Sequence, residues 1–146
     1  MLRKPITYTD YNGVVRTETF YFNLNETELL EMQLGVDGGL GEMLTKIIDA
    51  KDQPIIMKLV KEIILKAYGE KSDDGRHLYK SEERSLAFSQ TQAYNQLFLK
   101  LIQNDEAAAK FINAIIPSDL ADKLKDNAAL DVNKTKVVDV QSEVVK

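Results

Sequence analysis

Apolar and polar positions change their period early in the chain. From Thr7 to Asp10 and from Val14 to Phe22 the residues are rich in β-branched and aromatic types. Between them, the Asn12-Gly13 dipeptide tolerates the positive φ angles of a type I′ turn, and the stretch predicts an N-terminal β-hairpin. With Asn12 and Gly13 as the loop, Tyr11 faces Val14, Tyr8 faces Thr17 and Ile6 faces Thr19. Ile6, Tyr8 and Tyr21 then share one side of the ribbon, and Phe20, Phe22 and Leu24 share the other. A lone two-stranded ribbon is marginal in water. Its apolar open end is therefore expected to pack on the chain's own helices or in a sheet completed by another copy.

Beyond the ribbon the period becomes helical. Asn25 and Glu28 form a capping-box pattern that starts a helix at Glu26, with Leu29, Leu30, Met32 and Leu34 as its apolar positions. GVDGGLG, residues 35–41, breaks it through backbone freedom. Leu40, Met43, Leu44, Ile47 and Ile48 mark a second amphipathic helix over Leu40–Ala50. Asp52 caps a third, with Pro54 in its first turn, where a missing N–H costs nothing. Ile56, Leu59, Val60, Ile63, Ile64 and Ala67 line one face of this central helix, which the pattern ends at Gly69. The polar stretch KSDDGRHLYKSEE reads as a surface loop turning at Asp74-Gly75. Ser89 with Gln92 suggests a capping box for a helix reaching about Gln103. Asp105 is expected to cap another, which stops at Pro117. Residues 118–127 suit one short polar helix, and the chain from Asn127 onward has no aromatics and no stable period. The expected fold is α+β, mainly α: an N-terminal β-hairpin followed by a bundle of five to six helices, in one domain over residues 1–126, with a flexible C-terminal tail over 127–146.

Composition narrows the function more by exclusion than by signal. The 146 residues carry a formal net charge of −4, so no general attraction to nucleic acid or an anionic membrane is expected. The absence of cysteine removes disulfides, thiolate nucleophiles and cysteine-based zinc sites, and suits a reducing compartment. No apolar run approaches the ~20 residues that span a bilayer, and the N-terminus lacks the pattern of an export signal.

Candidate chemistry is sparse. His77 is the single histidine and sits among Asp73, Asp74, Glu82 and Glu83, but the spacing is not that of a calcium loop and a turn explains it better. The glycines of residues 35–41 lack both the Lys-Ser/Thr ending of a phosphate loop and the dinucleotide spacing. No nucleophile motif accompanies His77. The expectation is no enzyme, no catalytic residue, no cofactor and no metal. Ile6, Tyr8, Phe20, Tyr21 and Phe22 remain as candidate protein-interaction residues, because an aromatic-rich ribbon offers both apolar surface and a strand edge.

Four stretches carry a resemblance: FYFNLNETELLEM (residues 20–32), LKAYGEKSDDGRHLYKSEE (65–83), FSQTQAYNQLF (88–98) and FINAIIPSDL (111–120). Together they resemble the tail assembly chaperones of tailed bacteriophages of the siphovirus type that infect Gram-positive hosts, over roughly residues 3–121. The resemblance implies a non-enzymatic protein of the host cell cytoplasm. It would bind the phage tape measure protein, keep it soluble and assist assembly of the tail tube, with the tail tube protein and further copies of itself as additional partners. It identifies no contact residue. Two other readings stay open at this point: a structural virion subunit of the tail or head–tail connector, and a small host-directed regulator or inhibitor.

Overall fold

The computed structural model describes residues 1–32 and 53–118. The glycine-rich break at 35–41, the helix over Leu40–Ala50, the Asp52 cap, the polar segment beyond Ser118 and the C-terminal tail lie outside the described residues. Within them the order is β1 (Leu2–Thr9), β2 (Val15–Phe22), α1 (Glu26–Glu31), α2 (Gln53–Ala67), β3 (Tyr68–Lys71), β4 (Leu78–Tyr79), α3 (Glu82–Ser89), α4 (Gln92–Gln103) and α5 (Asp105–Ile115). The fold is α+β and mainly α, an N-terminal antiparallel hairpin followed by helices.

The hairpin forms where the pattern places it, but its register differs by one residue. Thr9 pairs with Val15, Tyr8 with Arg16, Thr7 with Thr17 and Ile6 with Glu18. The loop is Tyr11-Asn12-Gly13. Asp10 N–H donates to the Val14 carbonyl at 2.8 Å, Gly13 N–H donates to the Asp10 carbonyl at 3.0 Å, and Gly13 has φ +81. A type I turn followed by a left-handed glycine has displaced the expected type I′ turn. Asp10 selects it: its carboxylate accepts from Asn12 N–H at 2.8 Å, Val14 N–H at 2.9 Å and Arg16 Nε at 2.6 Å. A slip of one residue reassigns faces. Leu2, Lys4, Ile6, Tyr8, Arg16, Glu18, Phe20 and Phe22 share one face, while Tyr21 lies on the other with Thr7, Thr17 and Thr19. The expected grouping of Ile6 and Tyr8 with Tyr21, opposite Phe20 and Phe22, is thereby corrected.

The second difference is a second hairpin. The end expected for the central helix and the polar segment read as a loop together form β3 and β4, so the strands follow the order β1-β2-β3-β4 in one antiparallel sheet. Its tip is the expected turn: Ser72 N–H donates to the His77 carbonyl at 2.9 Å, and Gly75 has φ +75. Gly69 does not terminate α2. It lies inside β3, where an added Cβ would stand 2.5 Å from Leu78 Cγ, so its missing side chain lets β4 approach β3 closely.

Helix boundaries follow capping chemistry. The Asn25–Glu28 capping box is present in both directions. Ser81, not Ser89, starts the next helix by accepting from Arg84 N–H, and Ser89 is instead the last residue of α3. Thr91 caps α4 and Asn104, one residue before the expected Asp105, caps α5. The core joins Ile6, Phe22 and Leu24 of the hairpin region to Leu29 of α1, to Ile56, Val60, Ile63 and Ile64 of α2 and to Leu97, Leu101, Phe111, Ile112 and Ile115 of α4 and α5. Helix α4 packs on β1, and backbone bonds from Asn23 N–H to the Ala67 carbonyl and from Leu24 N–H to the Ile115 carbonyl tie the hairpin exit to the ends of α2 and α5.

Candidate protein-interaction site

The five hairpin residues occupy three environments. Ile6 and Phe22 are buried in the chain's own core, at 6% and 0% exposure. Tyr8 and Phe20 are half-buried on the same face: Phe20 packs on Phe88 with ring centres 5.3 Å apart, and the Tyr8 hydroxyl donates to Glu18. Tyr21 stands apart on the opposite face, with Lys71 Nζ 5.8 Å from its ring centre. The structure brings Ile6, Tyr8, Phe20 and Phe22 together and separates Tyr21.

Phe88 and Tyr68 complete this aromatic cluster. Their rings stack at 4.2 Å, and Phe22 meets both edge-on. Tyr68 comes from the start of β3 and Phe88 from α3, so only the tertiary fold joins them to the hairpin. Burial, with the negative charge of Glu70 adding to it, pushes the Tyr68 hydroxyl up to about 12.

A groove of about 800 Å³ opens on another side, with Glu28 and Met32 beside α1, Lys58, Lys61, Glu62, Leu65 and Lys66 on α2, and Lys80, Ser81, Glu82 and Ser85 on the approach to α3 and its first turns. Lys80 organises one wall. Its ammonium donates to the carbonyls of Asn23 and Lys66, the latter at 3.1 Å, and pairs with Glu28 at 2.7 Å. It thus satisfies an orphan carbonyl in the last turn of α2 and joins it to the start of α1. Burial lowers the Lys80 pKa, and the Glu28 carboxylate opposes that shift. Sequence reading missed this site because Lys80 sits in a polar stretch, where a lysine is ordinarily solvated. No local signal marks it.

His77 is exposed and stacks on Tyr79 with ring centres 5.3 Å apart. Among the described residues no group of His, Cys, Asp and Glu side chains is arranged to hold a metal ion. No described helix is long and apolar enough to cross a membrane. The described residues present surfaces: a polar-tipped ribbon on an aromatic base, and a groove with Met32 and Leu65 among charged side chains.

Comparison with protein families matches residues 1–145 to the phage tail assembly chaperone family. The chain belongs to that family. The match extends past residue 121, where the resemblance read from the sequence stops, and takes in the C-terminal segment that reading left out. Comparisons with curated proteins and with solved structures return no match. In a tail assembly chaperone the relevant chemistry is recognition of other proteins during tail assembly, and the ribbon and the groove are the described surfaces on which to look for it.

Proposed function

We propose that this tail assembly chaperone is a non-enzymatic holdase that binds the phage tape measure protein in the host cytoplasm, keeps it soluble and hands it to the tail tube protein as the tube assembles. The observation that carries the reading is the family match over residues 1–145. The groove between α1, α2 and α3 supports it, because Met32 and Leu65 set among charged side chains suit one amphipathic client segment. Met32 supplies an adaptable contact and Leu65 a fixed one. Lys58, Lys61, Glu62 and Glu82 keep the rim hydrated, which favours release when tube subunits compete for the same client surface.

Co-expression with the tape measure protein, followed by affinity capture, tests the proposal. A soluble complex that weakens when Leu65 is replaced by Glu is the expected result. Failure to capture the tape measure protein, together with stable retention of this chain in purified virions, would overturn it in favour of a structural subunit.

A further inference from the structure

A second cleft lies between β1 and the junction of α4 and α5, and it shares no lining residue with the groove beside α1. Its two adjoining parts, of about 430 and 210 Å³, both contain Lys4 and Lys100. Strand alternation turns Lys4 inward: it shares the face of Leu2, Ile6 and Phe20 that packs on the core, and it is half-buried there. Lys100 arrives from the last turn of α4, where a cation complements the negative end of the helix. Lys110, outside the last turn of α5, has no such role, and neither does Lys4. Burial lowers the Lys4 pKa, and the positive charge of Lys100 lowers it further. Among the described residues the ion pairs are Arg16 with Asp10 and Glu18, Lys80 with Glu28 and Arg84 with Glu70, so none of these three lysines is in one. Glu106 is the one carboxylate in the described lining.

Like charges gathered without a counter-charge destabilise the site that holds them, and an anion bound among them relieves the repulsion. The rest of the lining says which kind of anion fits. Leu2, Ala107, Phe111 and Ala114 form an apolar floor beside the lysines. Ala107, Lys110, Phe111 and Ala114 follow the i, i+3, i+4, i+7 spacing, so the ammonium group and the apolar contacts belong to one stripe of α5. A ligand that matches both carries carboxylates along one side and apolar side chains along the other. Nucleic acid suits the cleft less well. Its phosphates run without interruption and would meet Glu106, and the net charge of −4 repels a polyanion at long range. Carboxylates on a peptide can be spaced to meet the three lysines and avoid that glutamate.

We propose that the cleft between β1, α4 and α5 is a docking site for an acidic amphipathic segment of a protein partner. Lys4, Lys100 and Lys110 take its carboxylates, and Leu2 and Phe111 take its apolar side. The site is separate from the client groove and does not depend on it. Fluorescence anisotropy with the full chain tests it, using a labelled synthetic helix of about 18 residues with leucines on one face and glutamates flanking them. The peptide should bind, and more weakly as salt is raised. Lys100→Glu combined with Lys110→Glu should weaken binding about tenfold or more. Lys110→Glu alone, at an exposed position of α5, should weaken it about threefold and leave the far-UV circular dichroism spectrum unchanged. Glu106→Gln removes the opposing carboxylate and should tighten binding about twofold. The same peptide with lysine in place of each glutamate should not bind. Failure of the folded chain to bind the glutamate peptide would overturn the proposal. So would binding that ignores the lysine substitutions and is lost instead on Leu65→Glu, which would place the peptide in the other groove. Equally tight binding of a labelled single-stranded DNA of about 18 nucleotides would overturn it in favour of a general polyanion site.

Discussion

At the scale of single residues, adjacent aromatics differ because a strand alternates its faces. Phe22 is fully buried among Tyr68, Phe88 and Phe111, whereas its neighbour Tyr21 is half-exposed on the other side of the sheet. Phe22→Ala is expected to cost about 3–5 kcal/mol by opening a cavity. Tyr21→Ala should cost about 1 kcal/mol or less. Chemical denaturation of the two variants checks the contrast, and equal losses would contradict the register. The Tyr68 hydroxyl gives a pH prediction. Its folded pKa of about 12 lies above its ordinary value of 10.0, so its contribution is fully present below pH 10 and is lost as pH rises toward 12. Burial raises Tyr94 in the same direction. Tyr68→Phe keeps the stack on Phe88 but has no proton to lose, so its unfolding free energy should fall less steeply over this alkaline range. An unchanged slope would contradict the assignment.

At the scale of elements, the second hairpin depends on a close approach at one glycine. With only 2.5 Å between a Cβ at Gly69 and Leu78 Cγ, Gly69→Ala should destabilise by about 1–3 kcal/mol through overpacking. Combining it with Leu78→Ala should cost less than the sum of the separate losses. Thermal melts of the single and double variants measure this coupling, and strict additivity would count against the contact. The same hairpin marks the limit of what the sequence makes legible. The first hairpin, α2 and the boundary at Pro117 declare themselves through β-branched runs, a long apolar stripe and a backbone that cannot continue a helix. YGEK and LY are too short and too polar for a period of two to stand out, and their partner is established by tertiary packing. The loop of the first hairpin failed differently: Asn12-Gly13 was visible, but the decisive residue was Asp10, whose carboxylate stabilises the longer turn. The burial of Ile6 and Phe22 was legible as apolar weight. The Lys80 wall of the groove was not, because its three acceptors come from Asn23, Glu28 and Lys66, far away in sequence.

At the scale of the whole molecule, the family match directs attention to protein recognition during tail assembly. Hairpin and helices share one core, leaving the groove beside α1 and the lysine-lined cleft beside β1. The proposed function assigns the groove to the client, so several copies on one elongated tape measure protein would present several grooves to it. Multiple weak contacts of this kind bind a long client firmly through effective concentration and still allow stepwise release. The most direct measurement is the solubility of the tape measure protein when co-expressed with this chain, followed by light scattering of the complex in size exclusion. The account predicts that the tape measure protein moves from the pellet into a soluble complex, and that Leu65→Glu returns it to the pellet while the variant itself stays folded. A tape measure protein that remains insoluble with the folded wild-type chain in excess would contradict it.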